Sequence, residues 1–114
     1  MKNKGVFDAV RSMVKKIPQG KVSTYGNVAQ ALGIVNPRVI GWALKGNQDK
    51  SIPCHRVVQK GGTLSPGFSL DGWEEQRRRL EQDGLLFDGR QIRNFETRFF
   101  DLRIYAVASG NQNI

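Results

Sequence analysis

The only cysteine of the chain, Cys54, is followed directly by its only histidine, His55. Both lie in the run Ile52-Pro53-Cys54-His55-Arg56-Val57-Val58. A thiol attacks as its thiolate, and a neighbouring imidazole is a common way to make one near neutral pH. The pair marks a candidate nucleophilic centre. One cysteine makes no internal disulfide, which fits a reducing, cytosolic setting. One Cys and one His are too few for a protein-only structural zinc site, so no metal is expected.

Charge says what such a centre could meet. The chain of 114 residues carries a net charge of +8. Between Ala9 and Leu70 the only acid is Asp49, against Arg11, Lys15, Lys16, Lys21, Arg38, Lys45, Lys50, Arg56 and Lys60. The excess is therefore confined to one segment. Such a footprint attracts phosphate backbones through counterion release, although it also serves as a solvated, solubilising surface. No apolar run approaches the ~20 residues needed to cross a bilayer. No secretory signal follows Met1-Lys2-Asn3-Lys4-Gly5, and no membrane association is expected.

The length suits one domain with one modest core. Val6, Phe7, Val10, Met13, Val14 and Ile17 recur at helical spacing, and Pro18-Gln19-Gly20 stops that helix. Ser23 or Thr24 can cap a second helix bearing Val28, Ala29 and Leu32, closed by Gly33. Asn36 and Pro37 suit the start of a third, with Val39, Ile40, Ala43 and Leu44 inward and Arg38 and Lys45 outward. Two short helices around a tight turn resemble a helix-turn-helix. Ile52 to Gln59 reads as an extended run around Cys54, and 63–69 as an irregular loop. Asp71 can cap a last helix that aligns Trp73, Arg77 and Leu80. Leu85 to Ile92 around Asp88-Gly89 reads as a hairpin. Phe95, Phe99 and Phe100 can close it onto the core. The fold expected is mainly α, a winged-helix-like helix-turn-helix DNA-binding domain with short β elements over residues 1–100. Residues 101–114 read as a C-terminal tail.

Several of these motifs together resemble the O6-alkylguanine-DNA alkyltransferases. Pro53-Cys54-His55-Arg56-Val57 is similar to that family's active-site signature. Gly20-Lys21-Val22-Ser23-Thr24-Tyr25-Gly26 resembles its entry into the helix-turn-helix. Pro37-Arg38-Val39-Ile40-Gly41 resembles its recognition helix, and Lys45-Gly46-Asn47 the turn that follows. The resemblance spans roughly Gly5 to Gly84. It implies direct repair without a cofactor: a guanine bearing an O6-alkyl group is flipped out of double-stranded DNA, and the alkyl group passes irreversibly to a cysteine. Cys54 would be the acceptor and His55 its base, acting through a water. The acid behind the histidine, a glutamate in the family, would be Asp83 here, with Glu81 as the alternative. Tyr25 would donate to the departing guanine and crowd the flipped nucleotide. Arg38 would fill the gap left by the base. Lys45 and Asn47 complete the expected DNA-binding set, with Asn47 tying the turn to the active-site strand. Ser65, Ser69 and Trp73 would wall the alkyl pocket.

The family resembled has a second branch of short alkyltransferase-like proteins. These bind alkylated guanine without repairing it and flag it for nucleotide excision repair, whose proteins would then be partners. They usually carry Trp or Ala in place of the cysteine. Gly41-Trp42-Ala43-Leu44 and the stretch from Asp88 to Phe100 resemble this branch, whereas Cys54 resembles the repairing one. The expectation is a monomeric, single-turnover alkyltransferase, cytoplasmic and nucleoid-associated in a prokaryote or nuclear in a eukaryote. A lesion-binding protein without transfer, and a helix-turn-helix regulator, are the alternatives.

Overall fold

The computed structural model of the protein describes residues 2–64 and 72–106, with side chains described from residue 5. Asp71, the pocket candidates Ser65 and Ser69, and the tail beyond residue 106 lie outside the described residues. Three helices form the first layer: α1 (Lys2–Val14), α2 (Tyr25–Leu32) and α3 (Arg38–Lys45). Their ends follow local chemistry. The Thr24 hydroxyl accepts from the Asn27 backbone N–H at 3.0 Å and caps α2. Gly33 closes that helix at a φ of 70°, a left-handed conformation that suits glycine. The Asn36 side chain accepts from the Arg38 backbone N–H at 3.0 Å, just past Pro37, and starts α3. The turn joining α2 to α3 thus completes the helix-turn-helix, and the mainly α fold with short strands is the one expected.

Val10, Met13, Val14, Ile17, Val28, Ala29, Ile40 and Ala43 bury against one another between these helices. A second cluster holds Val22, Val58, Leu64, Leu80, Leu85, Phe87 and Ile92. Strand β1 (Ser23–Thr24) pairs in parallel with β2 (Val57–Val58) at the boundary of the two. Side chains alternate across a strand, so Val57 joins the first cluster and Val58 the second. The loop carrying Cys54 is thereby pinned to the start of α2, which carries Tyr25.

The wing is the antiparallel pair β3 (Phe87–Asp88) and β4 (Gln91–Ile92). Gly89 turns it at a φ of 59°. Gly62 sits beneath α5 (Phe95–Arg98) at a φ of 90°, where a Cβ would lie 2.6 Å from the Phe95 ring. No larger residue fits without moving that ring. No helix among the described residues is long and apolar enough to cross a membrane.

Three elements depart from the sequence reading. Cys54–Arg56 form a 3-10 turn, and only Val57–Val58 are strand. Pro53 has no N–H to give a ladder, and the Arg56 N–H instead bonds back to the Pro53 carbonyl at 2.9 Å. On α4 (Gly72–Gln82) the buried stripe passes through Gln76 rather than Arg77. The Arg77 guanidinium lies over the Phe87 ring, 5.5 Å from its centroid, with its stem as cover. Finally, the packed region continues past residue 100. Leu102 is fully buried in the first cluster. The Asn27 side chain donates to Asp101 at 2.9 Å and accepts from the Leu102 N–H and the Ser23 hydroxyl, each at 2.8 Å.

Candidate active site

Tyr25 opens α2, Cys54 and His55 occupy the 3-10 turn, and Asp83 follows the last turn of α4. All four line one open cleft of about 1210 Å³, which also reaches Trp42 and Lys45 on α3 and Asn47 after it. Sequence positions far apart thus converge because β2 pairs with β1 and because α4 packs on the turn.

Cys54 is a free, half-buried thiol. Burial pushes its pKa up, and the Asn47 amide and the charges of Arg11 and Arg79 pull against that shift. The thiol therefore holds its proton at neutral pH and needs a base. The Asn47 side-chain N–H donates to the sulfur at 3.4 Å. Asn47 also bridges its own loop, donating to the Asp49 carbonyl at 2.8 Å and accepting from the Asp49 N–H at 3.2 Å. Asn47 was expected to tie the turn to the active-site strand through backbone hydrogen bonds; its contact is instead a side-chain bond to the Cys54 sulfur in the 3-10 turn. A thiolate would receive the same bond more strongly.

His55 Nε2–H donates to Asp83 Oδ2 at 3.0 Å. That bond fixes the tautomer and leaves Nδ1 as the ring's proton acceptor. Burial lowers the His55 pKa, and the Asp83 carboxylate raises it only in part. The imidazole is therefore neutral at pH 7, the state a base requires. Asp83 is also held by Arg56, whose Nε donates to Oδ2 at 2.9 Å and Nη2 to Oδ1 at 3.3 Å. Burial opposes its ionisation, but the bonds from Arg56 and His55 prevail and keep its pKa below the usual carboxylate value. The Asp83 side chain is only 8% exposed. Glu81, the other acid considered for this role, pairs with Arg77 at the surface instead. One methylene less than glutamate is no obstacle, because Asp83 stands at the helix end and the 3-10 turn carries His55 toward it.

Two residues of the site, Gln76 and the Arg56 of the signature run, were given no role from the sequence. Gln76 is fully buried, and its amide donates to the carbonyls of His55 at 3.2 Å and Val57 at 3.0 Å. It satisfies the backbone of the turn that presents the Cys-His pair. Its position in the inward stripe of α4 was the available clue. Arg56 has a structural task as well, because its Nη1 donates to the Ile17 carbonyl at 3.1 Å and so joins the end of α1 to Asp83.

The remaining candidates stand as follows. Tyr25 packs partly against the first cluster. Burial, then the nearby Cys54, raise its pKa, so its hydroxyl stays a donor. Arg38 is exposed on the first turn of α3 and is not among the residues lining the cleft. Lys45 is exposed and does line it. Trp73 was expected in the pocket wall, but its indole packs against the second core cluster, and among the described residues it does not line the cleft. The described residues contain no group of three or more His, Cys, Asp or Glu placed to hold a metal ion.

A helix-turn-helix whose cleft presents a half-buried thiol, a neutral imidazole and a carboxylate defines a DNA-binding domain with a candidate nucleophile in its cleft. The chain belongs to the O6-methylguanine-DNA methyltransferase family: residues 6–85 match "6-O-methylguanine DNA methyltransferase, DNA binding domain". It is 38% identical over 94 residues to a bifunctional methyltransferase/endonuclease of Picrophilus torridus, covering 81% of this chain and 31% of that protein. It is 44% identical over 78 residues to a methylated-DNA–protein-cysteine methyltransferase of Methanopyrus kandleri, covering 68% of this chain and 56% of that protein. Alkyltransferase-like protein 1 of Schizosaccharomyces pombe is 39% identical over 82 residues, covering 70% of this chain and 72% of that protein. A crystal structure of S. pombe Atl1 in complex with damaged DNA containing O6-carboxymethylguanine superposes with a TM-score of 0.73 at 30% identity, covering 85% of this chain and 95% of that one. The chain thus spans less than a third of the bifunctional relative and about half of the archaeal methyltransferase.

Proposed function

We propose that this protein binds duplex DNA through α3, receives an O6-alkylguanine extruded from the helix, and transfers the alkyl group to Cys54 once. The observation that carries the reading is the ordered chain Asp83–His55 beside a protonated, half-buried Cys54. The Asp83–His55 pair supplies the proton acceptor that transfer to a protonated thiol needs and that lesion binding alone does not call on.

In the step proposed, the Cys54 thiol proton passes to His55 Nδ1, directly or through a water. The sulfur then attacks the alkyl carbon, a C–S bond forms and the C–O6 bond breaks. The electron pair of the broken bond stays with guanine, where the Tyr25 hydroxyl donates to the developing charge. The thiol proton passes from His55 to the guanine, which stays in its strand, so the products are a thioether and an intact base. A thioether is a poor leaving group, so the protein is spent. Arg38 would stack in the space left by the base and donate to its orphaned partner.

A second reading, lesion binding without transfer, is supported by the near-complete overlap with S. pombe Atl1. The two part in one assay. A duplex with O6-methylguanine inside a restriction site should become cleavable after incubation with this protein, one site per molecule. Cys54→Ser should bind and leave the site resistant. Protection that persists with the wild-type protein favours the second reading.

Arg38→Ala should slow restoration about 10- to 100-fold, because a few kcal/mol of unstacking go uncompensated. Lys15→Ala removes the same charge at the cleft and should cost only the electrostatic share, vanishing as salt rises. Equal, equally salt-dependent losses would reduce Arg38 to a phosphate contact.

A further inference from the structure

α3 turns Ile40 and Ala43 into the core and its opposite side to solvent. That outer side is not uniformly polar. Trp42 stands there, 57% exposed. Arg38 precedes it by four residues and Lys45 follows it by three, so the three side chains share one face of the helix. Both cations are exposed, and α3 carries no acid. Trp42 also lines the cleft that holds Tyr25, Cys54 and His55. The other tryptophan, Trp73, packs against a core cluster. An indole left half in water loses much of its burial energy unless something else covers it.

What covers it must tolerate cations on both sides. A second copy of this chain fits poorly, because a two-fold contact through this face would set Arg38 and Lys45 against themselves in a chain of net charge +8. A nucleic-acid strand fits well. It offers phosphate to Lys45, the gap of an extruded base to Arg38 and a flat apolar face to the indole, and aromatic stacking of this kind accepts any base.

We propose that Trp42 is a DNA-contacting residue whose indole covers a base or deoxyribose beside the extruded nucleotide, while Lys45 engages the phosphates of the flanking strand and Arg38 keeps its place in the gap left by the base. The proposal rests on the reading that α3 binds DNA, and it adds an apolar contact to that charged surface. Extrusion uncovers the faces of neighbouring bases, and a ring at the cleft edge takes up the exposed apolar area. Such a contact is independent of sequence and, unlike a phosphate contact, contributes nothing to the salt dependence of binding.

The chain has two tryptophans, so Trp73→Phe leaves Trp42 as the sole reporter. A Cys54→Ser background stops transfer during titration with a duplex containing O6-methylguanine. Trp42 emission should be quenched in step with binding followed independently by anisotropy of the labelled duplex. Trp42→Ala should weaken binding about 5- to 100-fold at fixed salt, the range of one lost aromatic stack, with the slope of log affinity against log salt unchanged. Trp42→Phe should recover most of the loss. Lys45→Ala should instead shallow that slope by about 0.9. Binding that leaves Trp42 emission and the affinity of Trp42→Ala unchanged overturns the proposal. So does emission that varies with protein concentration in the absence of DNA, which would place a second copy on this face. No binding by the Cys54→Ser, Trp73→Phe protein and the wild type alike sinks the underlying reading of α3 and this inference with it.

Discussion

His55→Gln should slow alkyl transfer about 100- to 10,000-fold, the span removed with a positioned general base, while affinity for the damaged duplex stays within a factor of about two. The reason lies in the direction of two shifts. Burial raises the Cys54 pKa, so little thiolate exists at neutral pH without help. Burial lowers the His55 pKa, so the imidazole can accept a proton at pH 7 and somewhat below its ordinary value. The wild-type rate should therefore hold from neutral pH through the ordinary imidazole range and decline only below it, as His55 becomes protonated. In His55→Gln the proton must leave to solvent. Its residual rate should climb about tenfold per pH unit toward the raised thiol pKa. Asp83→Asn should lie between the two, because the imidazole remains while its tautomer and orientation loosen. A stopped-flow or quench series across pH 5.5–9 reads all three profiles. Parallel profiles for wild type and His55→Gln would remove His55 from the chemistry.

Arg56→Met should lower unfolding free energy by about 3–5 kcal/mol, the usual cost of removing one partner of a buried ion pair. Arg56 is mostly buried, at 17% side-chain exposure, and it holds Asp83 and the Ile17 carbonyl together. Its loss leaves an 8% exposed carboxylate with His55 as its remaining bonded partner. Urea unfolding should show a lower midpoint with an unchanged slope. The same variant carries a second signature. Arg56 also pushes the His55 pKa down by its charge. Without it the histidine should titrate at higher pH in an NMR series, and the acid limb of the rate profile should move up with it. A stability loss below about 1 kcal/mol would class the pair with exposed ion pairs. The paired Asp83 also adds an acid-sensitive contribution. Its pKa is depressed in the folded state, so that stabilisation is present above the ordinary carboxylate pKa and lost as pH falls through the folded one.

Features set by neighbours along the chain were legible in the sequence. Thr24, Gly33 and Asn36-Pro37 place the helix ends because capping is a matter of a few residues. The wing follows from Asp88-Gly89 between apolar residues. The Cys54-His55 pair marks a candidate nucleophile by composition alone. Features set by distant partners were not. The 3-10 turn at Cys54 is backed by the Gln76 amide from α4, a partner that local sequence does not reveal. The choice of Asp83 over Glu81 depends on which side of the helix end faces His55. The buried Asn27, which joins Ser23, Asp101 and Leu102, is invisible to periodicity because its partners include residues near the other end of the chain. Trp73 could be assigned to pocket or core by its type, and its packing against the second cluster comes from partners that periodicity does not name.

The central claim is that Cys54 leaves the reaction alkylated. Intact mass spectrometry after incubation with a slight excess of O6-methylguanine duplex tests it most directly, followed by peptide mapping. The account predicts a gain of one methylene per protein molecule, located on the peptide containing Cys54, with no gain in Cys54→Ser. Stable binding of the same duplex with an unchanged protein mass would contradict it.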